Sequence, residues 1–147
     1  MPPPAPTHAA TADEAGSAAP GGRGAGAGVL VVEDDPLLAW ELGWAIEAAG
    51  LRVIGPCLSY REALAAVARE TPRLAVMDID LGRGDLRPGF EGERVLAILT
   101  NVGCRCVIHS GRVELFKIIA RYFPDAVLIA KPAPVRRVVE ALLAPER

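Results

Sequence analysis

Short apolar runs alternate with longer stretches of helical periodicity along the chain, and this alternation repeats five times after residue 28. Four of the five runs are almost continuously apolar, which is typical of strands covered by helices on both faces of a sheet. The predicted strands are residues 29–32, 52–54, 74–77, 106–108 and 126–129. The pattern therefore predicts an α/β fold with a parallel sheet.

Residues typical of helix ends lie between these runs. Asp35 is positioned to cap a helix that opens at Pro36 and stops at Gly50, and Ser59 with Glu62 has the spacing of a capping box. The predicted helices cover residues 36–49, 59–70, 91–100, 112–122 and the stretch from 134 onward. Right-handed crossovers with helices on both faces favour strand order 2-1-3-4-5. The sequence thus predicts a flavodoxin-like, doubly wound (βα)5 fold.

Composition divides the chain into two parts. Residues 1–28 contain nine Ala, six Gly and five Pro, and such a stretch buries too little apolar surface to offset the entropy lost on ordering. We expect a disordered tail over 1–28 and one domain over 29–144. The connection between the third strand and the third helix, from Ile79 to Phe90, is unusually long, and long loops in compact domains are often functional.

Several classes of protein are excluded by charge and hydropathy. The net charge of −2, without a Lys/Arg cluster, argues against direct nucleic-acid binding. No apolar run is long enough for a membrane helix, and the amino terminus lacks a secretory signal, so we expect a cytoplasmic protein. The three cysteines, Cys57, Cys104 and Cys106, are an odd number and are expected to be thiols.

Charged and polar residues follow four of the predicted strands. They are Glu33, Asp34 and Asp35 after the first strand, Asp78 after the third, His109 and Ser110 after the fourth, and Lys131 after the fifth. Strands 1 and 3 are neighbours in the predicted order, and ligands of such sheets bind beyond the carboxyl ends of the strands. We therefore expect these side chains to converge.

Clustered carboxylates repel one another unless a proton or a cation relieves the repulsion. A hard divalent ion with oxygen ligands, Mg²⁺ first, is the simplest solution, and Mg²⁺ with few carboxylates suits phosphoryl chemistry. A carboxylate beside Mg²⁺ can attack a phosphoryl group, while Lys131 neutralises one phosphoryl oxygen and the Ser110 hydroxyl donates to another. Asp35 is interpreted as a helix cap rather than a member of this set.

Four segments resemble the signatures of the receiver domain of response regulators, the phosphoacceptor module of two-component signalling. They are VVEDDP at 31–36, VMD at 76–78, IHSG at 108–111 and AKP at 130–132. The resemblance covers about residues 29–144. It implies that Asp78 is the phosphoacceptor, that Asp34 and the backbone carbonyl of Asp80 bind Mg²⁺, and that Glu33 holds the ion through water. By the same resemblance, Ser110 is the switch residue.

The resemblance also assigns Lys131 as the lysine of the site and implies a cis bond before Pro132. It implies phosphorelay partners: a sensor histidine kinase or a His phosphotransfer protein supplies the phosphoryl group, and an unidentified downstream protein reads the switched face. A chain of this length is expected to be a stand-alone receiver without membrane contact. Receivers often dimerise, and the sequence leaves a homodimer open.

This chain departs from the family pattern at several positions. Leu128 stands where many receivers carry a Tyr or Phe that reports the switch, and Ala133 replaces a frequent Phe. Asp80 adds a carboxylate two residues beyond the phosphoacceptor, where the family lines the path of the attacking water. The stretch 82–92 is longer than usual.

Two other functions are compatible with parts of the sequence. A phosphorylation-independent, receiver-like interaction module is favoured by Leu128, Ala133 and the long loop. A phosphatase of the haloacid-dehalogenase type is suggested by Asp78 and Asp80 as an Asp-x-Asp box, but Leu81 stands where that family has Thr or Val.

Smaller motifs have plainer interpretations. Cys104, Cys106 and His109 match no zinc spacing and are interpreted as buried thiols and a strand-end imidazole. Trp40 and Trp44, four residues apart on the first helix, are interpreted as packing residues, with a docking role open.

Overall fold

The computed structural model describes residue 26 and residues 28–81 and 90–145. Five strands alternate with five helices through this part of the chain. In order they are β1 (Gly28–Val32), α1 (Pro36–Ala48), β2 (Arg52–Cys57), α2 (Tyr60–Arg69), β3 (Leu74–Met77), α3 (Phe90–Asn101), β4 (Arg105–Ser110), α4 (Phe116–Tyr122), β5 (Val127–Ala130) and α5 (Val135–Leu143), with a 3₁₀ turn at Val113–Leu115 before α4.

The strands form one parallel sheet in the order β2-β1-β3-β4-β5, which confirms the predicted doubly wound fold. β1 lies directly beside β3, with Val32 opposite Met77. The residues that follow these two strands therefore emerge side by side. β4 and β5 complete the same edge, with Ser110 opposite Ala130.

Two apolar layers cover the two faces of the sheet. One layer joins alternate residues of β1, β3 and β4, such as Leu30, Met77 and Ile108, to α2 and α3. The other joins the intervening residues to α1 and α5 through Ile46 and Leu142. Because side chains alternate between the faces of a strand, continuously apolar runs supply both layers at once.

The helix caps follow the predicted chemistry. The Asp35 carboxylate accepts hydrogen bonds from the backbone N–H groups of Leu37 and Leu38, and Ser59 Oγ accepts one from Glu62 N. Gly50, with φ of 86°, follows the end of α1 in the left-handed conformation that glycine adopts at little cost. These contacts fix where α1 and α2 begin and where the chain turns back toward the sheet after α1.

Most observed boundaries lie within one residue of the predicted ones, and the larger differences are in three places. β2 continues to Cys57 through Gly55 and Pro56, because it is an edge strand where the missing proline N–H is tolerated. β4 extends to Ser110, so His109 and Ser110 are its last two residues instead of following it. The predicted helix 112–122 begins as a 3₁₀ turn and becomes α-helical only at Phe116.

Some predictions fall on residues outside the described part of the chain. The predicted tail 1–28 does so except at residues 26 and 28, and the long connection between β3 and α3 does so over 82–89. Among the helices of the described part, none has both the length and the apolar character needed to cross a bilayer.

Candidate functional site

Three carboxylates meet at the carboxyl edge of the sheet. Glu33 and Asp34 follow β1, and Asp78 follows β3. One carboxylate oxygen from each lies within 4.8 Å of the others. Glu33 and Asp78 are buried, at 1% and 6% exposure, whereas Asp34 is half-buried. The predicted convergence of these groups is therefore what the fold produces.

Backbone hydrogen bonds hold this acidic cluster in place. Asp78 N donates to Val32 O at 2.9 Å, and Glu33 N donates to Cys57 O at 2.9 Å, so both turns are tied to a neighbouring strand. Asp78 Oδ1 accepts from Asp80 N at 2.9 Å. Hydrogen bonds to neighbouring strands therefore fix the backbone at both acidic turns.

Lys131 is the positive group of the site. It follows β5, and its Nζ donates to Asp78 Oδ2 at 2.7 Å and to Glu33 Oε2 at 2.9 Å. Burial acts to lower the pKa of Lys131, but the hydrogen bonds to Asp78 and Glu33 outweigh it, so the pKa is raised. Lys131 therefore stays charged and bridges the two sides of the site. The peptide bond from Lys131 to Pro132 is cis, as the resemblance implied, and Gly55–Pro56 is a second cis bond that the sequence did not reveal.

The charges of the site do not balance. Three ionised carboxylates and one ammonium leave a charge of −2 (three negative, one positive) in a largely buried space. Burial raises the pKa of Glu33 to about 6, against the opposing effect of its hydrogen bond to Lys131. A cluster of hard oxygen donors with excess negative charge fits a divalent cation such as Mg²⁺.

Ser110 and His109 end β4 beside this cluster, and both are buried. Ser110 Oγ accepts a hydrogen bond from Arg112 N at 3.1 Å, and Ser110 O accepts one from Lys131 N at 3.0 Å. Burial lowers the pKa of His109 and the charge of Lys131 lowers it further, while Asp78 acts in the opposite direction. His109 is therefore neutral at pH 7.

Arg112 is a neighbour of the site that the sequence analysis missed. Its guanidinium lies 3.8 Å from Asp80 Oδ1 and also forms an ion pair with Glu114. The ion pair between Asp80 and Arg112 joins the residue two positions after Asp78 to the residue two positions after Ser110. Its only sequence signal was this equal spacing, because a single arginine in a loop carries no pattern of its own.

Gly92 is a second neighbour that the sequence did not reveal. It lies in the first turn of α3, where an added Cβ would overlap the backbone of Ile79, the residue after Asp78. Helix α3 can approach the end of β3 this closely only with glycine at this position. A glycine inside a predicted helix was the available signal.

Two cysteines at the start of β4, one just before the strand and one within it, lie away from the site. Cys104 and Cys106 are buried free thiols, as predicted, and they line a groove of about 760 Å³ at the opposite edge of the sheet. Hydrogen bonding between the two thiols and burial raise the pKa of Cys104. In the described part of the chain, Glu33, Asp34 and Asp78 are the group with metal-ligand geometry, and neither thiol belongs to it.

Sequence similarity to known proteins covers only part of this chain. No protein-family model matches the chain. Over 66 residues it is 42% identical to a protein-glutamate methylesterase/protein-glutamine glutaminase of Hahella chejuensis. That match covers 45% of this chain but 18% of the relative, so the chain spans less than a fifth of the length of that protein.

Solved structures similar to this one include receiver domains of response regulators. A CheY-like response regulator receiver domain protein from Methanospirillum hungatei has a TM-score of 0.64 and 24% identity, over 78% of this chain and 89% of that one. The response regulator PhyR from Brucella abortus has a TM-score of 0.61 and 27% identity, over 79% of this chain and 45% of that one. The receiver-domain expectation for the fold is confirmed.

Proposed function

Since this chain folds as a response-regulator receiver domain, we propose that it accepts a phosphoryl group on Asp78 in a two-component phosphorelay. One observation carries the proposal: the buried Asp78 carboxylate is bonded to Lys131 and lies within 4.8 Å of two further carboxylates. A structural ion pair needs no such excess of negative charge. A site for phosphoryl transfer does, because a cation must neutralise the transferred group.

The proposed donor is a phosphohistidine of a sensor kinase or of a His phosphotransfer protein. An oxygen of Asp78 attacks the phosphorus, the bond from phosphorus to the donor imidazole nitrogen breaks, and the imidazole leaves. Water later hydrolyses the acyl phosphate and releases inorganic phosphate. We propose that this exchange takes place in the cytoplasm.

Lys131 and Ser110 have separate tasks in this proposal. The ammonium of Lys131 takes up a phosphoryl oxygen in place of the carboxylate oxygen that it now holds. Ser110 Oγ accepts its bond from Arg112 N, which leaves the hydroxyl hydrogen able to donate to another phosphoryl oxygen. Lys131 leaves the Asp78 oxygen only when the phosphoryl group arrives, whereas Ser110 donates while it keeps its bond from Arg112 N.

Asp34, Asp78 and the backbone carbonyl of Asp80 are the residues that would hold Mg²⁺, with Glu33 acting through water. When bound, the ion supplies charge neutralisation for the transferred group. The fit rests on three carboxylates against one ammonium within this chain. Glu33 contributes its negative charge and accepts a hydrogen bond from Lys131 Nζ at 2.9 Å.

The proposed output is a shift in the surface formed by α4, β5 and α5, which a downstream protein reads. This surface carries exposed apolar side chains, including Ile118, Tyr122 and Leu143. Position 128 on β5 is a half-buried leucine. Because leucine is not aromatic, the proposed shift operates here without an aromatic residue at that position.

Incubation of the full chain with acetyl phosphate and Mg²⁺, followed by intact-mass analysis, tests the proposal. We expect a gain of one phosphoryl group that requires Mg²⁺ and is absent in Asp78→Ala. Asp125→Ala, an exposed aspartate at the opposite edge, is the matched control and should be modified like the wild type.

The same assay and a phosphatase assay together separate the alternatives. Absence of an adduct in a folded chain would favour a phosphorylation-independent interaction module. Steady turnover of a phosphomonoester such as p-nitrophenyl phosphate would favour a phosphatase of the haloacid-dehalogenase type.

A further inference from the structure

His109 is buried without a hydrogen-bond partner. It is the second-to-last residue of β4 and is 2% exposed, and within the described residues neither Nδ1 nor Nε2 has a partner. Buried polar atoms are almost always paired, because an unpaired one loses its hydration and gains nothing in return. An apolar residue of the same size would fill this position without that cost.

The strand register places His109 next to the site. Ile108 lies opposite Met77, so the following residues, His109 and Asp78, are neighbours across β3 and β4. On its other side His109 lies opposite Ile129 of β5. Side chains alternate along β4, so His109 faces the layer under α1 and α5, on the same face of the sheet as Asp78.

The Asp78 carboxylate, which lies beside the imidazole, is already engaged by other donors. Asp78 Oδ1 accepts from Asp80 N, and Asp78 Oδ2 accepts from Lys131 Nζ, so both carboxylate oxygens already have donors. A neutral imidazole carries one N–H donor and one acceptor nitrogen. In this state the donor of His109 competes with an ammonium, which is the stronger donor.

A phosphoryl group on Asp78 would change this balance, because it brings new acceptor oxygens for Lys131. We propose that His109 is a positioning residue for the phosphorylated state, in which its imidazole N–H donates to an oxygen of the phosphorylated Asp78 side chain once Lys131 has moved to the phosphoryl group. The unpaired imidazole destabilises the unmodified state, and the new bond favours the phosphorylated one. This inference rests on the proposed function of Asp78.

The chain connection to Ser110 adds to the argument. His109 and Ser110 are adjacent in β4, so a displacement of Ser110 toward a phosphoryl group also displaces the backbone of His109. The imidazole therefore moves in the same step that frees the Asp78 oxygen. No separate conformational change is required for the new bond to form.

Imidazole ¹⁵N NMR of the full chain tests the inference, with beryllium fluoride and Mg²⁺ as the phosphoryl analogue. The chain has two histidines, His8 and His109, so a His109→Leu variant assigns both rings. We expect the analogue to shift the His109 nitrogens and to slow exchange of its N–H with water, while the His8 signals stay unchanged. Bound beryllium fluoride is followed independently by its ¹⁹F signal.

The two proposals fail in different ways in this experiment. A bound ¹⁹F signal with unchanged His109 nitrogens would overturn the role of His109 and leave Asp78 as the acceptor. Absence of a bound ¹⁹F signal would overturn the proposed function, and the role of His109 with it.

Affinity for beryllium fluoride and Mg²⁺ gives a second test. His109→Leu should bind the analogue about tenfold more weakly, since one hydrogen bond of the loaded state is lost, and should raise the melting temperature of the unloaded chain. His109→Gln keeps a donor and should recover part of the affinity. Val107→Ala, on the same strand and face, should lower stability without changing affinity. Equal affinity of His109→Leu and the wild type would show that His109 is only a packing residue.

Discussion

The two halves of the carboxyl edge of the sheet differ in how deeply their helices and strands are buried. The acceptor half, defined as β1 and β3 with Glu33, Asp34 and Asp78 at their ends, has strands that are buried at every residue but Leu74. The response half, defined as the end of β4 with α4 and β5, is more open. β5 has one buried residue, α4 has one, and a 3₁₀ turn without a side-chain cap precedes α4.

This difference in burial suits the two halves to different tasks. The acceptor half holds the charged groups in place, and the response half can change position. The acceptor half ties both acidic turns to neighbouring strands by backbone hydrogen bonds, so it supplies fixed geometry. Elements with few buried contacts open and shift at lower free energy than the core, which suits the response half for a change in position. Lys131 bridges the two halves through its ion pairs with Glu33 and Asp78. In the proposed function, the loss of these bonds couples the two halves.

Removal of the bridge should have the largest effect. In Lys131→Gln we expect phosphorylation by acetyl phosphate to slow at least about 100-fold, because a preorganised charge at the reacting group is lost. Initial rates of adduct formation by intact mass measure this. The chain has one other lysine, Lys117, which is exposed on α4, and Lys117→Gln should react at the wild-type rate. A slowing of less than about threefold in Lys131→Gln would show that the bridge is dispensable.

Two glycines test the packing beside each half, since Gly92 of α3 packs against Ile79 after β3 and Gly111 follows β4. Gly92→Ala should lower the free energy of unfolding by about 1 to 3 kcal/mol, because the added methyl overlaps the backbone of Ile79. Gly111→Ala, beside Ser110, meets no atom within 4 Å and should change it by less than about 1 kcal/mol. Chemical denaturation of both variants gives the two values. Equal costs would contradict the difference in packing between the halves.

The fold was largely predictable because its information is local and repeated. Each of the five strands was indicated by its own apolar run, and the caps at Asp35 and Ser59 marked their helices. Handedness then left strand order 2-1-3-4-5 as the common solution. The acidic cluster followed from that order, since residues after adjacent parallel strands must meet.

The details that escaped the sequence depend on contacts between distant segments. The pairing of Arg112 with Asp80 and the approach of Gly92 to Ile79 join different loops, which no local pattern encodes. His109 was interpreted as an ordinary strand-end imidazole because its lack of partners is visible only in the packed sheet. The periodicity of the sequence therefore predicts where the site lies. The surroundings of the site depend on strand register and side-chain pairing, which the sequence pattern does not show.

The pH dependence of the free energy of unfolding should reflect the ionisation of Glu33 in the acceptor half. Burial raises the pKa of Glu33 from 4.5 to about 6, so the folded state favours its protonated form. That stabilisation is complete below about pH 4.5 and is lost as the pH rises through about 6. Without Mg²⁺, wild-type stability should fall by about 1 to 2 kcal/mol relative to Glu33→Gln between about pH 4.5 and 7. Parallel pH profiles for the two proteins would contradict the assignment.

The smallest effect is expected at the exposed ion pair between the halves. Asp80→Asn should slow hydrolysis of the acyl phosphate about two- to fivefold, because it removes the carboxylate that we propose as the acceptor of a proton from the attacking water. Arg112→Gln frees the same carboxylate and should speed hydrolysis by a similar factor. Decay of the phosphorylated mass after removal of acetyl phosphate measures both rates. An unchanged rate in Asp80→Asn would remove Asp80 from the path of the water.

The central claim concerns which residue carries the phosphoryl group, and chemical trapping reads it directly. Borohydride reduces an acyl phosphate of aspartate to homoserine, and peptide mass analysis then locates the modified position. After treatment with acetyl phosphate and Mg²⁺, we expect homoserine at position 78 alone and none when Mg²⁺ is omitted. Homoserine at position 34 or 80, or at no position in a folded protein, would contradict the assignment of Asp78 as the phosphoacceptor.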